Sequence, residues 1–308
     1  MKAFITGISG FVGKHLADFL ISKHIEVFGI DIADGFERNS KVHYSKADIF
    51  DSKALTDLLS NINPDYIFHL AGYSSVKKSF EQPELCKKIN VLGSKSLFDA
   101  VLASGIQPKI LIISSADIYG IPKKLPLVET HELHPVSPYA ESRKEQEELC
   151  RYYYDTYNLH IIIARSFPHI GPGQQPIFVV SDFAKQIAEI ENGKEPVIRV
   201  GNLKARRDFI DVRDVVKAYL LGVEKGKTGE IYNICSGTSY SIKEILDMLL
   251  SLTTVKIKVK QDLQRVRQND IPDLRGDNSK FFQQTGWSPR IALKTTLVDV
   301  LTYWRKNL

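Results

Sequence analysis

The sequence predicts an α/β protein: a doubly wound parallel sheet over residues 1–165 and a smaller α/β lobe over residues 166–308. Three observations predict it. Short apolar runs alternate with helical patterns through the first 165 residues. Three glycines, Gly7, Gly10 and Gly13, stand between the first such run and the first helical stretch. After Arg165 the alternation breaks at a Gly- and Pro-rich segment, Ser166 to Pro176, and shorter elements follow.

Taken in order, the predicted strands are Ala3–Thr6, Glu26–Ile30, Val42–Lys46, Tyr66–Leu70, Ile110–Ser114 and His160–Ala164, with helices beginning near Phe11, Ser52, Pro83 and Pro138. The last start is the best marked, because Ser137 suits an N-cap and Pro138 the first helical position. Right-handed crossovers put the carboxyl ends of such strands on one edge, where ligands bind. Beyond Pro176 come a helix over Ser181–Glu191, strands at Val197–Val200 and Arg207–Ile210, and helices at Val212–Glu224 and Ser241–Leu250. Tyr232 and Asn233 read as a strand going back to the first unit, so segments near 210–235 return there. No internal repeat is present.

Composition narrows the function classes. Hydrophobic residues make up 43% of the 308, enough for a packed core. No apolar stretch reaches the length of a membrane span and no signal-peptide layout is seen, so no membrane association and a cytoplasmic location are expected. Cys86, Cys150 and Cys235 are odd in number and widely spaced, which argues against a disulfide framework. The eight histidines show no metal-ligand spacing, so no metal is expected. The net charge of +5 is spread out, with no basic stripe interleaved with aromatics, and no nucleic-acid partner is expected. Stretches such as Arg143 to Glu148 read as solvated helical faces.

Thr6-Gly-Ile-Ser-Gly-Phe-Val-Gly13 has the layout a dinucleotide pyrophosphate needs at a Rossmann-type strand-to-helix turn. Gly7 permits the turn, Gly10 lets backbone approach the phosphates, and Gly13 lets the helix, opening at Phe11 and Val12, pack on the sheet. Asp31, 18 residues after Gly13, ends the second strand where a carboxylate can bind both ribose hydroxyls and repel a 2′-phosphate. NAD(H) is therefore favoured, with NADP(H) left open because Arg38 stands in the adjoining loop. Asp48 and Ile49 can bracket an adenine, and Leu70, Ala71 and Gly72 end the fourth strand with small residues beside the cofactor's path.

A second motif, Ser137-Pro-Tyr-Ala-Glu-Ser-Arg-Lys144, places Tyr139 and Arg143 four residues apart on one helix face. A cation beside a phenol stabilises its ionised form, and the same cation can hold a nicotinamide ribose. Ser115, at the end of the fifth strand, can donate to a reacting oxygen, and Asp117 can reach the same pocket. Arg207 and Arg267 can grip a diphosphate, Asp270 can accept from ribose hydroxyls, and His169 lies in the Gly/Pro-rich segment of the same lobe.

These residues carry a resemblance. The glycine motif, Ser114-Ser-Ala-Asp-Ile-Tyr-Gly120, Tyr139 with its cation and Arg207-Asp-Phe-Ile-Asp-Val resemble the extended short-chain dehydrogenase/reductases, the NAD-dependent epimerase/dehydratase group. Arg165-Ser-Phe-Pro-His-Ile-Gly-Pro-Gly-Gln174, Val200-Gly-Asn-Leu and Arg267-Gln-Asn-Asp270 resemble, within that group, the GDP-4-keto-6-deoxy-D-mannose reductases. The resemblance implies reduction of the C4 keto group of a nucleotide-linked sugar, catalysed by Tyr139, Ser115, Arg143 and Asp117, with a GDP-linked substrate held by His169, Arg207, Arg267 and Asp270. It also implies a homodimer that pairs through the tyrosine-bearing helix, for which Cys150-Arg-Tyr-Tyr-Tyr154 offers an aromatic face, although burial within the monomer explains that face as well. A nucleotide-sugar 4,6-dehydratase or 4-epimerase, a reductase forming GDP-6-deoxy-talose or a 6-deoxy-heptose, and a non-catalytic binding protein stay open. Two positions depart from the group: Arg143 stands where lysine is usual, and Pro168 where many relatives carry a phosphate-binding asparagine.

Overall fold

The computed structural model describes residues 1–36, 39–266 and 270–308. Strands β1 (Lys2–Thr6), β2 (Glu26–Asp31), β3 (Val42–Lys46), β4 (Tyr66–His69), β5 (Lys109–Ser115) and β6 (Ile161–Ser166) match the six predicted runs to within one or two residues at each end. They join a seventh, Ile231–Ile234, in one sheet of parallel pairs, ordered from that strand through β6, β5, β4, β1 and β2 to β3. The chain order reverses direction next to β1, where ligands sit in folds of this kind.

Helices cover both faces. On one side lie α1 (Phe11–Ser22) and a later helix, Val212–Lys225; on the other lie α2 (Ser52–Ile62), the short α3 (Val76–Glu81) and α4 (Pro83–Lys87), α5 (Gly93–Ser104) and α6 (Pro138–Tyr157). The helix predicted from Pro83 passes through a wide turn at Lys88–Leu92 before α5. Ser137 caps α6 by accepting from the Ala140 N–H at 3.2 Å, as its sequence suggests.

The second half weaves between both units. After β7 (His169–Ile170), α7 (Val179–Glu191) and β8 (Val197–Val200), the predicted strand Arg207–Ile210 is instead two: β9 (Arg206–Asp208) and β10 (Ile210–Asp211). The buried Asp208 explains the break. Its carboxylate accepts from the Ser236, Gly237 and Gly276 N–H groups and from the Ser236 hydroxyl, gathering two loops where a straight strand would run past. There follow α8 (Val212–Lys225), β11 (Ile231–Ile234), β12 (Ser239–Ser241), α9 (Ile242–Leu250), β13 (Lys258–Gln261), β14 (Asp273–Leu274), α10 (Ser279–Thr285) and α11 (Leu293–Lys306).

Residues from α8, β11, α10 and the segment just after it pack in the same core as β1 and α1: Val212, Val216, Tyr219, Tyr232, Phe281 and Trp287 lie with Ala3, Ile5 and Leu16. The lobe proper keeps a separate core, in which Phe183 and Ile187 of α7 meet Leu246 of α9 and Val300 of α11. No helix among the described residues is long and apolar enough to cross a membrane.

Candidate active site

The glycine turn is built by close approach. Gly7 has φ +71°, and a Cβ there would lie 2.6 Å from the Ala71 backbone nitrogen. A Cβ on Gly13 would lie 2.5 Å from the Ile8 carbonyl oxygen and 2.7 Å from that of Gly7. No side chain caps the helix at Gly10, so the first-turn N–H groups of Phe11, Val12 and Gly13 are left for an anion to meet. A dinucleotide's pyrophosphate fits such a cradle. Gly13→Ala should weaken NADH or NADPH binding by about tenfold or more and cost about 1–3 kcal/mol of stability, because backbone must move to admit the methyl group. Fluorescence titration and urea unfolding would check both.

Asp31 ends β2 beside this turn. One carboxylate oxygen accepts from the Ser9 N–H at 3.0 Å and the other from the Ile32 N–H at 2.8 Å, so the group is held at the edge facing the glycine turn. Asp48 accepts from the Phe50 N–H, and Ile49 is buried. Leu70 donates its N–H to the Thr6 carbonyl, Ala71 follows, and Gly72 lies against the Arg143 guanidinium. Arg38 and Arg267 lie outside the described residues.

Tyr139 and Arg143 share a face of α6 as their spacing requires, with the guanidinium carbon 5.4 Å from the centre of the Tyr139 ring. Both are at least nine-tenths buried. The reading of Arg143 to Glu148 as a solvated face is corrected here: Arg143, Gln146 and Glu147 point inward, while Lys144 faces out and pairs with Glu148. At the end of β5, Ser115 donates to the Asp117 carboxylate at 3.2 Å and accepts from the Asp117 N–H at 3.2 Å. Helix α6 packs on β5 and on this turn, which brings Ser115 and Asp117 to the same edge as Tyr139.

A chain of buried polar groups lies beneath. The Arg143 Nη1 donates to the Ile113 carbonyl at 3.0 Å and to Gln146 Oε1 at 2.9 Å. A guanidinium only donates, so the Gln146 amide must turn its NH₂ onto Ser94 Oγ, 2.7 Å away. Ser94 spends its own proton on the Asn90 carbonyl at 2.8 Å. His69, 3.0 Å from Ser94 through Nε2, must then carry its proton on that nitrogen and accept from the Thr6 hydroxyl at Nδ1. Thr6 in turn accepts from the Ala71 N–H. Each link in this chain has a direction, and it ends in backbone at both sides, at the Ile113 carbonyl and the Ala71 N–H.

Burial, and after it the charge of Arg143, push the His69 imidazole down to about 3. The unfolded chain takes up a proton there below about 6.5 that the folded chain refuses. Stability from this residue is thus full above the unfolded value and is lost as pH falls from about 6.5 toward 3. Urea midpoints measured down this range should fall more steeply for the unmodified chain than for His69→Gln.

Asn90, Ser94, His69 and Gln146 belong to this buried chain and were not singled out by motif, and Thr6 entered only as the first residue of the glycine motif. The available signal was spacing. Positions 139, 143, 146, 150 and 153 form one helical stripe that runs Tyr, Arg, Gln, Cys, Tyr, so the polar members share the apolar members' buried face.

On the lobe side, Arg207 is ion-paired with Asp270 and donates to the Ile271 carbonyl, and Asn202 also donates to Asp270. Of the three residues predicted for the nucleotide, Arg207 and Asp270 are brought together and hold each other, and Arg267 lies outside the described residues. His169 stacks at 6.3 Å on Phe11 of α1, donates from Nδ1 to the Phe167 carbonyl, and is kept neutral chiefly by burial. His15 of α1 hydrogen-bonds the Pro172 carbonyl, so the Gly/Pro-rich segment is fastened beside the glycine turn. Pro168 offers only its carbonyl, which accepts from the Ile210 N–H. No group of three or more His, Cys, Asp or Glu that could hold a metal exists among the described residues.

A seven-stranded parallel sheet, an uncapped glycine turn and a tyrosine–cation pair on α6 place this molecule in the extended short-chain dehydrogenase/reductase class. The family described as GDP-mannose 4,6 dehydratase matches residues 4–300, and the chain belongs to that family. It is 35% identical over 310 residues to GDP-6-deoxy-D-mannose reductase of Pseudomonas aeruginosa, covering 100% of this chain and 98% of that protein. The solved structure of RMD from Pseudomonas aeruginosa complexed with NADPH superposes with a TM-score of 0.87 at 34% identity, covering 100% and 99% of the two chains. That of UDP-glucose 4-epimerase from Thermus thermophilus, in complex with NAD, gives 0.90 at 25% identity and covers 100% of both.

Proposed function

We propose that this protein is an NAD(P)H-dependent reductase acting on the C4 keto group of a nucleotide-linked 4-keto-6-deoxy sugar, converting GDP-4-keto-6-deoxy-D-mannose to GDP-D-rhamnose. The observation that carries this reading is the full-length likeness to a GDP-6-deoxy-D-mannose reductase. A nicotinamide held in this cleft would supply a hydride to C4. Tyr139 gives the proton to O4, and the C4 carbonyl becomes a secondary alcohol with atoms and charge balanced. Ser115 turns its hydroxyl from Asp117 to O4 and holds the developing negative charge. Arg143 holds the nicotinamide ribose and stabilises Tyr139 as it loses its proton; being permanently charged, it takes no part in proton transfer itself.

Gly7, Gly10, Phe11, Val12 and Gly13 cradle the pyrophosphate. Asp31 binds the adenosine ribose, Asp48 and Ile49 bracket the adenine, and Leu70, Ala71 and Gly72 pass along the cofactor. The NADPH in the Pseudomonas aeruginosa structure supports use of the phosphorylated cofactor, while Asp31 supports NADH. On the substrate side, Arg207 and Arg267 take the diphosphate, Asp270 the ribose, and His169 lines the sugar pocket. Since Arg207 and Asp270 already pair, substrate must insert between them or share them.

The enzyme works in the cytoplasm as a homodimer that pairs through α6. The aromatic run on that helix divides: Tyr153 is buried and donates to Asp99, whereas Tyr152, with Tyr157 beyond the run, is exposed, at 53% and 47%, and can meet a second copy. A monomer by light scattering at micromolar concentration would remove the dimer.

The deciding experiment is NADH and NADPH oxidation with freshly made GDP-4-keto-6-deoxy-mannose, followed by NMR of the product sugar. Oxidation with C4 of the rhamno configuration supports the reading. Product formed from GDP-mannose without added reduced cofactor would replace it with the dehydratase. Tight cofactor binding with no oxidation would replace it with a binding role.

A further inference from the structure

Arginine and lysine solve the same placement problem differently. A lysine ammonium presents three hydrogens around one nitrogen and turns to meet whatever acceptor is near. A guanidinium is a rigid plane, so its donors point correctly only if something fixes the rotation of the whole group. At Arg143 that fixing is visible. Both hydrogens of Nη1 are taken, one by the Ile113 carbonyl of β5 at 3.0 Å and the other by Gln146 Oε1 at 2.9 Å. Two acceptors on one nitrogen, from different elements, define the plane.

The remaining donors face elsewhere. Nη2 lies at Gly72, where an added Cβ would stand only 2.8 Å from it and 3.0 Å from Asn90 Oδ1. Any larger residue at position 72 would push the guanidinium aside. Nε is buried and has no hydrogen-bond partner. So the structure satisfies Nη1 completely and leaves Nη2 as the donor at Gly72, on the side that meets the strand-end residues of the cofactor cleft.

We propose that Gln146 is a positioning residue for Arg143: its amide, held by Ser94, sets the plane of the guanidinium, and Gly72 supplies the room that an arginine needs in this site. The inference rests on the reading that Arg143 meets the nicotinamide ribose. Gln146 does this without charge, so it leaves the guanidinium's full positive charge for the cleft, where a carboxylate would have cancelled it. Its hold comes from behind. The Gln146 NH₂ goes to Ser94, and Ser94 is fixed by the Asn90 carbonyl and by His69, which stays neutral across the working range. With the Ser94 hydroxyl and the His69 Nε2 proton already committed, these buried groups act as a brace.

The test is a double-mutant cycle on the full chain, read as dissociation constants for NADH and NADPH by nicotinamide fluorescence. Gln146→Met keeps the size of the side chain and removes its acceptor. Alone it should weaken binding by about tenfold, the worth of a charge-assisted hydrogen bond. In the Arg143→Lys background, where there is no plane to set, it should change binding by no more than about twofold. If Gln146→Met does not fold, Ser94→Ala removes the brace one step further back and should show the same dependence on Arg143. Equal losses in both backgrounds, or no loss in either, overturn the proposal. Because the cycle reads cofactor alone, absence of keto-sugar turnover leaves it interpretable. Turnover without coupling removes the role of Gln146 and leaves the reductase standing. Failure of the unmodified chain to bind either cofactor overturns both.

Discussion

Tyr139→Phe should lower turnover by about 10²- to 10⁴-fold, the usual worth of a positioned proton donor, with the dissociation constant for cofactor unchanged within a few-fold. The ring is at least nine-tenths buried, stacks beside the Arg143 guanidinium and has its backbone N–H bonded to Ser79 Oγ at 3.1 Å, and phenylalanine keeps all three contacts. Only the hydroxyl is lost. The change therefore separates chemistry from folding, and single-turnover oxidation of reduced cofactor is the measurement. Turnover within a few-fold of the unmodified chain would remove Tyr139 as the proton donor and direct attention to Ser115 or Asp117.

A comparable effect on stability is expected midway along the same helix. Arg165 of β6 is buried and meets both carboxylate oxygens of Glu147, through Nε at 3.0 Å and Nη2 at 2.7 Å, while Nη1 donates to the Tyr119 hydroxyl and to the Glu129 carbonyl. Arg165→Met would leave the Glu147 carboxylate buried without a counter-charge, at a cost of about 3–5 kcal/mol. The double change Arg165→Met with Glu147→Leu should recover most of that loss, since an apolar pair of similar volume often replaces a buried ion pair without penalty. Urea unfolding of the three proteins checks both statements. If the single change costs no more than a surface substitution, the pair is not what ties α6 to the sheet.

Much of the fold was legible because the first half obeys simple periods. β1, β4 and β5 are apolar runs bounded by small or polar residues, and the glycine turn marks the first crossover. The second half was less legible for reasons that can be named. β12 and β14 are two or three residues long, too short to show a period, and α10 and α11 lie in a region where no motif prompts a search. The split at Phe209 depends on donors from residues 236, 237 and 276, which no local pattern connects to Asp208.

The same contrast holds within the candidate site. Gly7, Gly13, Asp31, Tyr139 and Arg143 are visible because chemistry demands those residue types at those spacings. Gln146, Glu147 and Ser94 are not, because in sequence a polar residue on a helix reads as solvated. Their burial follows from partners on other elements: the Arg143 guanidinium, Arg165 of β6 and His69 of β4.

The path of the chain also bears on how the protein is made. A ribosome delivers residues in order, and when β6 has emerged it still lacks its neighbour on one side. The strand that covers it, β11, comes some 65 residues later, and the apolar wall behind α1 needs Phe281 and Trp287, close to the last helix. Until then Ala3, Ile5 and Leu16 have only part of their final neighbours, so the nascent chain holds an open β edge and an incomplete core through most of its synthesis. Expression of residues 1–165 alone should give an aggregating fragment, and the nucleotide-binding half of this protein cannot be lifted out as a module.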